Sequence, residues 1–252
     1  MDRDVRSPNP ARCPKCGMTL VAGIPEGNEY PLKLQIMPRN PRPGHPIDLT
    51  FTVEHPVTGK RVTTFDLIHE KLMHLFVIGQ DLDFFLHEHP EPKPDGRFTF
   101  RTTLPNGGEY RLLCDFYPSG GTPQMTAKTI VLPGKGLPPK LESDLRPRRA
   151  ANLTVSLRTE PAHPRAGTKT MLFCDLEPFT GLQPYLGAWG HLLAASSDLV
   201  DLVHSHPAWE DPGPTIQFNL IFPRPGLHRI WLQFQREGTI NTVAFNVPVS
   251  AI

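Results

Sequence analysis

Apolar and polar residues alternate in short runs along most of the chain, and the runs are separated by Pro, Gly, Asn and Asp. The pattern predicts strands over Ile47–Val53, Leu72–Ile78, Phe84–His89, Arg97–Thr103 and Tyr110–Phe116. Alternation with period two places one set of side chains on each face of an extended strand. Strands recurring every ~8–12 residues with turn signals between them point to sandwiches or barrels.

The pattern repeats. Residues 73–90, MHLFVIGQDLDFFLHEHP, align with residues 190–207, GHLLAASSDLVDLVHSHP. His74, Asp81, Leu82, His87, His89 and Pro90 recur as His191, Asp198, Leu199, His204, His206 and Pro207. The flanks follow: the stretch from Arg42 matches that from Arg165, and GGEYRLLCDF ending at Phe116 matches PGLHRIWLQF ending at Phe234. Internal self-similarity of this kind marks a duplicated structural unit. Each unit is about 100 residues long, enough to bury its own core.

Composition sharpens the class. The chain of 252 residues has 30 prolines, more than twice the usual ~5%, and proline breaks helices and central strands. A mainly helical protein is excluded. Full disorder is excluded too, since 38% of the residues are hydrophobic and the net charge is only +1. The same charge balance, and the scarcity of aromatic residues among basic ones, give no sign of nucleic-acid binding. No apolar run approaches the ~20 residues that span a bilayer. The fold expected is all-β: two tandem immunoglobulin-like sandwiches preceded by a small CxxC metal-binding module. The boundaries read as 1–27 for the module, 28–135 for the first sandwich, 136–150 for a Pro- and charge-rich linker, and 151–252 for the second sandwich.

The repeated block has the form of a β-hairpin turning at Gln80–Asp83, which sets His74 opposite His89 and places His87 on the same face. The second copy does the same with His191, His206 and His204. Three imidazoles can hold a metal and leave one coordination position open, and imidazole suits copper, zinc and nickel. Those faces also carry apolar residues, among them Phe76, Ile78, Phe85, Leu193 and Leu202. The histidines therefore read either as ligands or as internal locks bonded to backbone carbonyls. The first copy alone has His69 and Met73, where the second has Leu186 and Gly190. Histidine and methionine together favour copper, which makes the first copy the preferred site; Met73 itself faces away from His74 and reads as core packing. Asp66, Glu70 and Glu88 are nearby carboxylates able to orient imidazoles. Cys114 and Cys174 read as buried small hydrophobes, so a Cys-containing blue-copper site is not expected.

Cys13-Pro-Lys-Cys16 is a tight knuckle that can offer two thiolates to one metal. CPKCGMTL resembles the end of the small bacterial heavy-metal-binding domain found in copper- and silver-efflux fusion proteins, metal ATPases and periplasmic proteins. Cys13, Cys16 and Met18 match the second half of its pattern; the first cysteine of the pattern would precede Met1, and Asp2 stands in place of its usual His. The resemblance implies a chain that begins inside the module, with a signal peptide or anchor expected upstream, since MDRDVRSPNP contains no apolar stretch. HEKLMHLFVIGQDLDFFLHEHP, with DGRFTF and GGEYRLLCDFYP, is similar to secreted or periplasmic bacterial proteins that carry immunoglobulin-like domains.

The reading that follows is a periplasmic or secreted accessory protein that binds a heavy metal, copper first and zinc second. The ligands would be Cys13 and Cys16 in the module, and His69, His74, His87, His89, His191, His204 and His206 in the sandwiches. Its partners are the metal ion and proteins of the cell envelope, and no catalytic activity is expected. The alternative is a structural or interaction module of an envelope assembly, with structural histidines.

Overall fold

A computed structural model describes residues 27–208 and 213–252, together with Ser7, Ala11, Arg12 and Pro14. The CxxC knuckle, Cys13 and Cys16, lies outside the described residues. No helix is present among those described, and none is long and apolar enough to cross a membrane.

The first sandwich contains β1 (Leu32–Met37), β2 (Pro46–Val53), β3 (Phe65–Asp66), β4 (Met73–Gly79), β5 (Phe85–Glu88), β6 (Glu91–Pro92), β7 (Arg97–Thr103), β8 (Gly108–Pro118) and β9 (Gln124–Leu132). One sheet runs β1-β2-β7-β6 and the other β5-β4-β8-β9, with β3 pairing the far end of β8 in line with β4. Every pairing is antiparallel. This is the A-B-E-D and G-F-C-C′ strand order of an immunoglobulin-like sandwich. The second copy contains β10 (Arg148–Arg149), β11 (Thr154–Glu160), β12 (Lys169–Glu177), β13 (Leu182–Gln183), β14 (His191–Ser196), β15 (Leu202–Ser205), β16 (Thr215–Ile221), β17 (Gly226–Arg236) and β18 (Thr239–Val249). Its sheets run β10-β11-β12-β16 and β15-β14-β17-β18, with β13 placed as β3 is.

Alternation builds each core. Ile47, Leu49, Phe51 and Val53 of β2 point inward, as do Leu172, Cys174 and Leu176 of β12. Met73, Leu75 and Val77 fill the first core, so Met73 packs apart from the histidine face, as its parity predicts. The segment between the sandwiches is tied to the second one: Asp144 and Asn246 exchange backbone hydrogen bonds, and Arg148–Arg149 pairs with β11.

The strands β4 and β14 break the alternation, being buried on both faces. One face of each meets its own core. The other meets the neighbouring sandwich: Phe76, Ile78, Leu82 and Leu113 pack with Leu193, Ala195, Leu199 and Trp231. Phe85 stacks on Trp231 with ring centroids 4.9 Å apart and planes within 8°. The two C-strand sheets thus lie against each other, and the apolar residues that share a face with the histidines form the seam between the domains.

Candidate metal centre at the domain seam

The hairpin register is the one the repeat predicts. Phe76 pairs with His87 and Leu75 with Glu88, and Leu193 pairs with His204 and Leu192 with Ser205. Each hairpin therefore brings its three imidazoles to one end of its sheet. His74 is fully buried, as is His191 at 1% exposure, and the seam sets the two triads side by side. The ring centroids of His87 and His191 are 5.4 Å apart, and those of His74 and His191 6.0 Å. Two sites that read as separate in sequence form one cluster.

A tight turn anchors each triad. Ile68 and Lys71 exchange backbone hydrogen bonds around His69 and Glu70, which adopt φ of 45° and 66°. Tyr185 and Ala188 do the same around Leu186 and Gly187, with φ of 52° and 69°. Two consecutive positive φ values define the hairpin turn whose twist suits flanking strands. The turn aims one carbonyl at each buried histidine: His74 Nε2–H donates to Ile68 O at 2.8 Å, and His191 Nε2–H to Tyr185 O at 2.9 Å. A carbonyl only accepts, so each ring holds its proton on Nε2 and presents a bare Nδ1.

The remaining rings are oriented across the seam. His87 Nδ1–H donates to Gln233 Oε1 of the second sandwich at 2.7 Å. His204 Nδ1–H donates to Asp115 Oδ2 of the first at 3.0 Å. Asp115 pairs with His74 on β8, and Gln233 pairs with His191 on β17, so the two are equivalent positions. Each domain supplies the residue that orients the other's histidine.

What is left bare converges. The bare Nδ1 of His74 lies 3.0 Å from the bare Nε2 of His87, and 3.2 Å from His89 Nε2, on a ring whose tautomer no further bond sets among the described residues. In the second triad His191 Nδ1, His204 Nε2 and His206 Nε2 are buried without a hydrogen-bond partner among the described residues. In each triad the ligand atoms lie within 4.8 Å of one another. Opposed imidazole lone pairs at this separation repel unless a proton or a cation sits between them. Protonation is disfavoured at His74, His89, His191 and His206. Burial, with neighbouring imidazoles adding to it, lowers His74 to about 4, His89 to about 3 and His191 to about 3, and pushes His206 far down. Clustered nitrogens, four of them on rings whose far side is bonded to an acceptor, form a donor set suited to a divalent or cuprous ion.

His69 is placed differently from the rest. Its ring stacks on His206 of the second sandwich, centroids 3.6 Å apart, and lies 5.6 Å from His191 and 6.5 Å from His74. It covers the second triad and stands apart from the first, with which its sequence neighbourhood grouped it. Both copies present three converging rings, so the expected advantage of the first copy does not appear in the geometry. A cleft of about 550 Å³ opens beside the first triad, with His87, His89, Lys71, Glu88, Tyr185 and Leu186 in its walls. Cys114 and Cys174 lie fully buried in the two cores, where burial pushes both thiols up, away from the metal-binding thiolate form. Among the carboxylates singled out in the sequence, Asp66 accepts from Ser119, and Glu70 and Glu88 are exposed. The orienting groups are Asp115 and Gln233. Their signal in the sequence was their shared place, one residue before Phe116 and Phe234 in the repeated blocks.

Residues 26–132 and 143–251 each match a family described as "Domain of unknown function (DUF8832)". No curated protein matches the chain. Similar solved structures include dimeric latent PorU from Porphyromonas gingivalis, with a TM-score of 0.31 and 14% identity over 89% of this chain and 24% of that one. Adhesin InvE from Yersinia pseudotuberculosis has a TM-score of 0.28 and 10% identity over 89% of this chain and 61% of the adhesin. The fibronectin(III)-like modules of Clostridium thermocellum CbhA give 0.25 and 9%, over 87% and 94%. The chain thus spans about a quarter of the PorU length.

Proposed function

The chain belongs to the DUF8832 family through both of its sandwiches, and from that premise we propose that it is a metal-binding accessory protein whose ions sit in the seam between them. His74, His87 and His89 hold one ion, and His191, His204 and His206 another. Copper is the favoured metal and zinc the second choice: the donors are all imidazole nitrogens, which suit both, and Cu(II) heads the affinity order of divalent ions for such sites. Three protein ligands leave a further position open on each ion.

One observation carries this reading: His74, His87, His191 and His204 turn a bare nitrogen into the clusters, while the far side of each ring is bonded to a fixed acceptor. Hydrogen-bonded outer partners that set the tautomer are the usual company of metal-ligating histidine. The alternative, histidines as structural locks, accounts for the nitrogens bonded to Ile68 and Tyr185 and for a bond from His89 Nε2–H to His74 Nδ1, but not for the facing nitrogens of His74 and His87 or the bare ones of the second triad.

The Cys13–Cys16 knuckle belongs to the same proposal as a thiolate half-site that binds or hands over the metal, in a periplasmic or secreted protein of the cell envelope. The test is titration of the folded chain with Cu(II), Cu(I) and Zn(II) against a competing chelator, repeated with His74→Ala and His191→Ala. Each variant should lose one bound ion. Unchanged stoichiometry and affinity in both would overturn the seam site.

A further inference from the structure

Asp115 and Gln233 occupy equivalent positions, yet one is a carboxylate and the other a neutral amide. Each accepts the Nδ1–H of a histidine from the opposite sandwich. A carboxylate behind an imidazole makes the ring a stronger donor at its other nitrogen than an amide does, because it stabilises the positive charge that metal binding draws onto the ring. Here the carboxylate stands behind His204, whose Nε2 faces His191 and His206, and the amide behind His87 of the first triad. A second asymmetry runs the same way. His69 stacks over His206, while its counterpart Leu186 lines the cleft that reaches His87 and His89.

We propose that the seam holds two ions of unequal standing: a tightly retained one on His191, His204 and His206, set by Asp115, and an exchangeable one on His74, His87 and His89, reached through the cleft. This rests on the metal-binding reading above. Asp115 and Gln233 are positioning residues in this scheme and touch neither ion. The retained ion fills first and stiffens the seam from the second domain. The first triad then loads and unloads through the cleft, as a protein that accepts and passes on ions requires.

The test uses the full chain, stripped with a chelator and titrated with Cu(II) in the presence of a competing ligand of known affinity. Two binding steps are expected. His204→Ala should abolish the tighter step and His87→Ala the weaker one. Asp115→Asn keeps the size of the side chain and its accepting oxygen; it should weaken the tighter step by ~10–100-fold, leave the weaker within a few-fold, and bring the two together. Gln233→Glu should tighten the weaker step and slow release of that ion to a chelator. Circular dichroism on each variant reports folding, and should Asp115→Asn unfold, Gln233→Glu carries the test alone. A protein that binds no copper overturns the metal-binding reading. Two equal steps, or a Gln233→Glu variant whose weaker step does not move, overturn the ranking and leave metal binding standing.

Discussion

Asp115 Oδ2 accepts the Nδ1 proton of His204 at 3.0 Å across the seam between the two sandwiches. The bond joins residues 89 positions apart and has a reciprocal in the bond from His87 to Gln233. Neither triad is complete within its own domain. The hairpin supplies three rings, but the tautomer of one ring in each triad is set by the other sandwich.

If the seam completes both triads, opening it should disable both. Leu193 is 1% exposed and packs in the inter-domain cluster, while its neighbours Leu192 and Ala194 belong to the second core. Leu193→Asp would bury an unpaired carboxylate in that cluster, at a cost of several kcal/mol. The expected result is retained β-structure by circular dichroism, a larger radius of gyration in solution scattering, and loss of metal binding at both triads. A variant that opens the seam and still binds two ions at full affinity would separate the sites from the interface.

Acid should weaken the metal-free protein before it reaches the carboxylate range. Burial holds His74 at about 4, and His89 and His191 at about 3, against 6.5 for an unperturbed ring. Between these values and 6.5 the unfolded chain binds more protons than the folded one, so stability is full above pH ~6.5 and falls as pH drops through the folded values. Urea midpoints of the chelator-treated protein should decline steadily from pH 7 to pH 4. Bound ion should move the decline to lower pH, since metal and proton compete for the same nitrogens. A flat profile would mean that the rings are not buried neutral.

Gly190 precedes His191 where the first copy has Met73. A Cβ at Gly190 would lie 2.7 Å from Phe234 Cε1 and 3.1 Å from the Gln233 carbonyl oxygen. Gly190→Ala should therefore overpack the second core and cost about 1–3 kcal/mol in chemical denaturation. It should also weaken both triads, because Gly190 adjoins His191 in the chain and the displaced strand carries Gln233, which orients His87. An unchanged denaturation midpoint would show that Phe234 has room to move.

The repeated aspartate is a turn residue. Asp81 Oδ1 accepts from the backbone N–H of Asp83 and Phe84 at 3.0 and 3.2 Å. Asp198 Oδ1 accepts from Val200 N–H and Ser196 Oγ, and Arg224 holds it from outside. The residue after each, Leu82 and Leu199, has positive φ and enters the seam. Asp81→Ala should cost about 1 kcal/mol, roughly 2–4 °C in Tm for a chain of this size, with ion affinity nearly unchanged. A large loss of binding would make the turn part of the site.

The strand pattern, the duplication and the hairpin register were legible in the sequence because each depends on near neighbours. Alternation places Met73 in the core and His74 on the other face, and the shared spacing fixes which histidines oppose. The meeting of the two copies was not legible. Phe76, Ile78 and Leu193 on the histidine face read equally as the edge of a core, since a strand buried on both sides looks the same whichever body covers it. Only the tertiary arrangement turns those residues into a seam. Asp115 and Gln233 escaped for the same reason: their hydrogen bonds join residues 89 and 146 positions apart, a separation that no local pattern encodes. His69 was misplaced by proximity in sequence, because its turn projects it toward the opposite domain.

The reciprocal contacts across the seam are those of an isologous dimer, in which a surface meets its own copy. In a true homodimer any change on one side must appear on the other, and the two halves stay alike. Joining the halves in one chain removes that constraint. Asp115 against Gln233, His69 against Leu186 and Met73 against Gly190 are differences that a pair of identical chains could not carry, and they give the two halves of one symmetric cradle unlike surroundings.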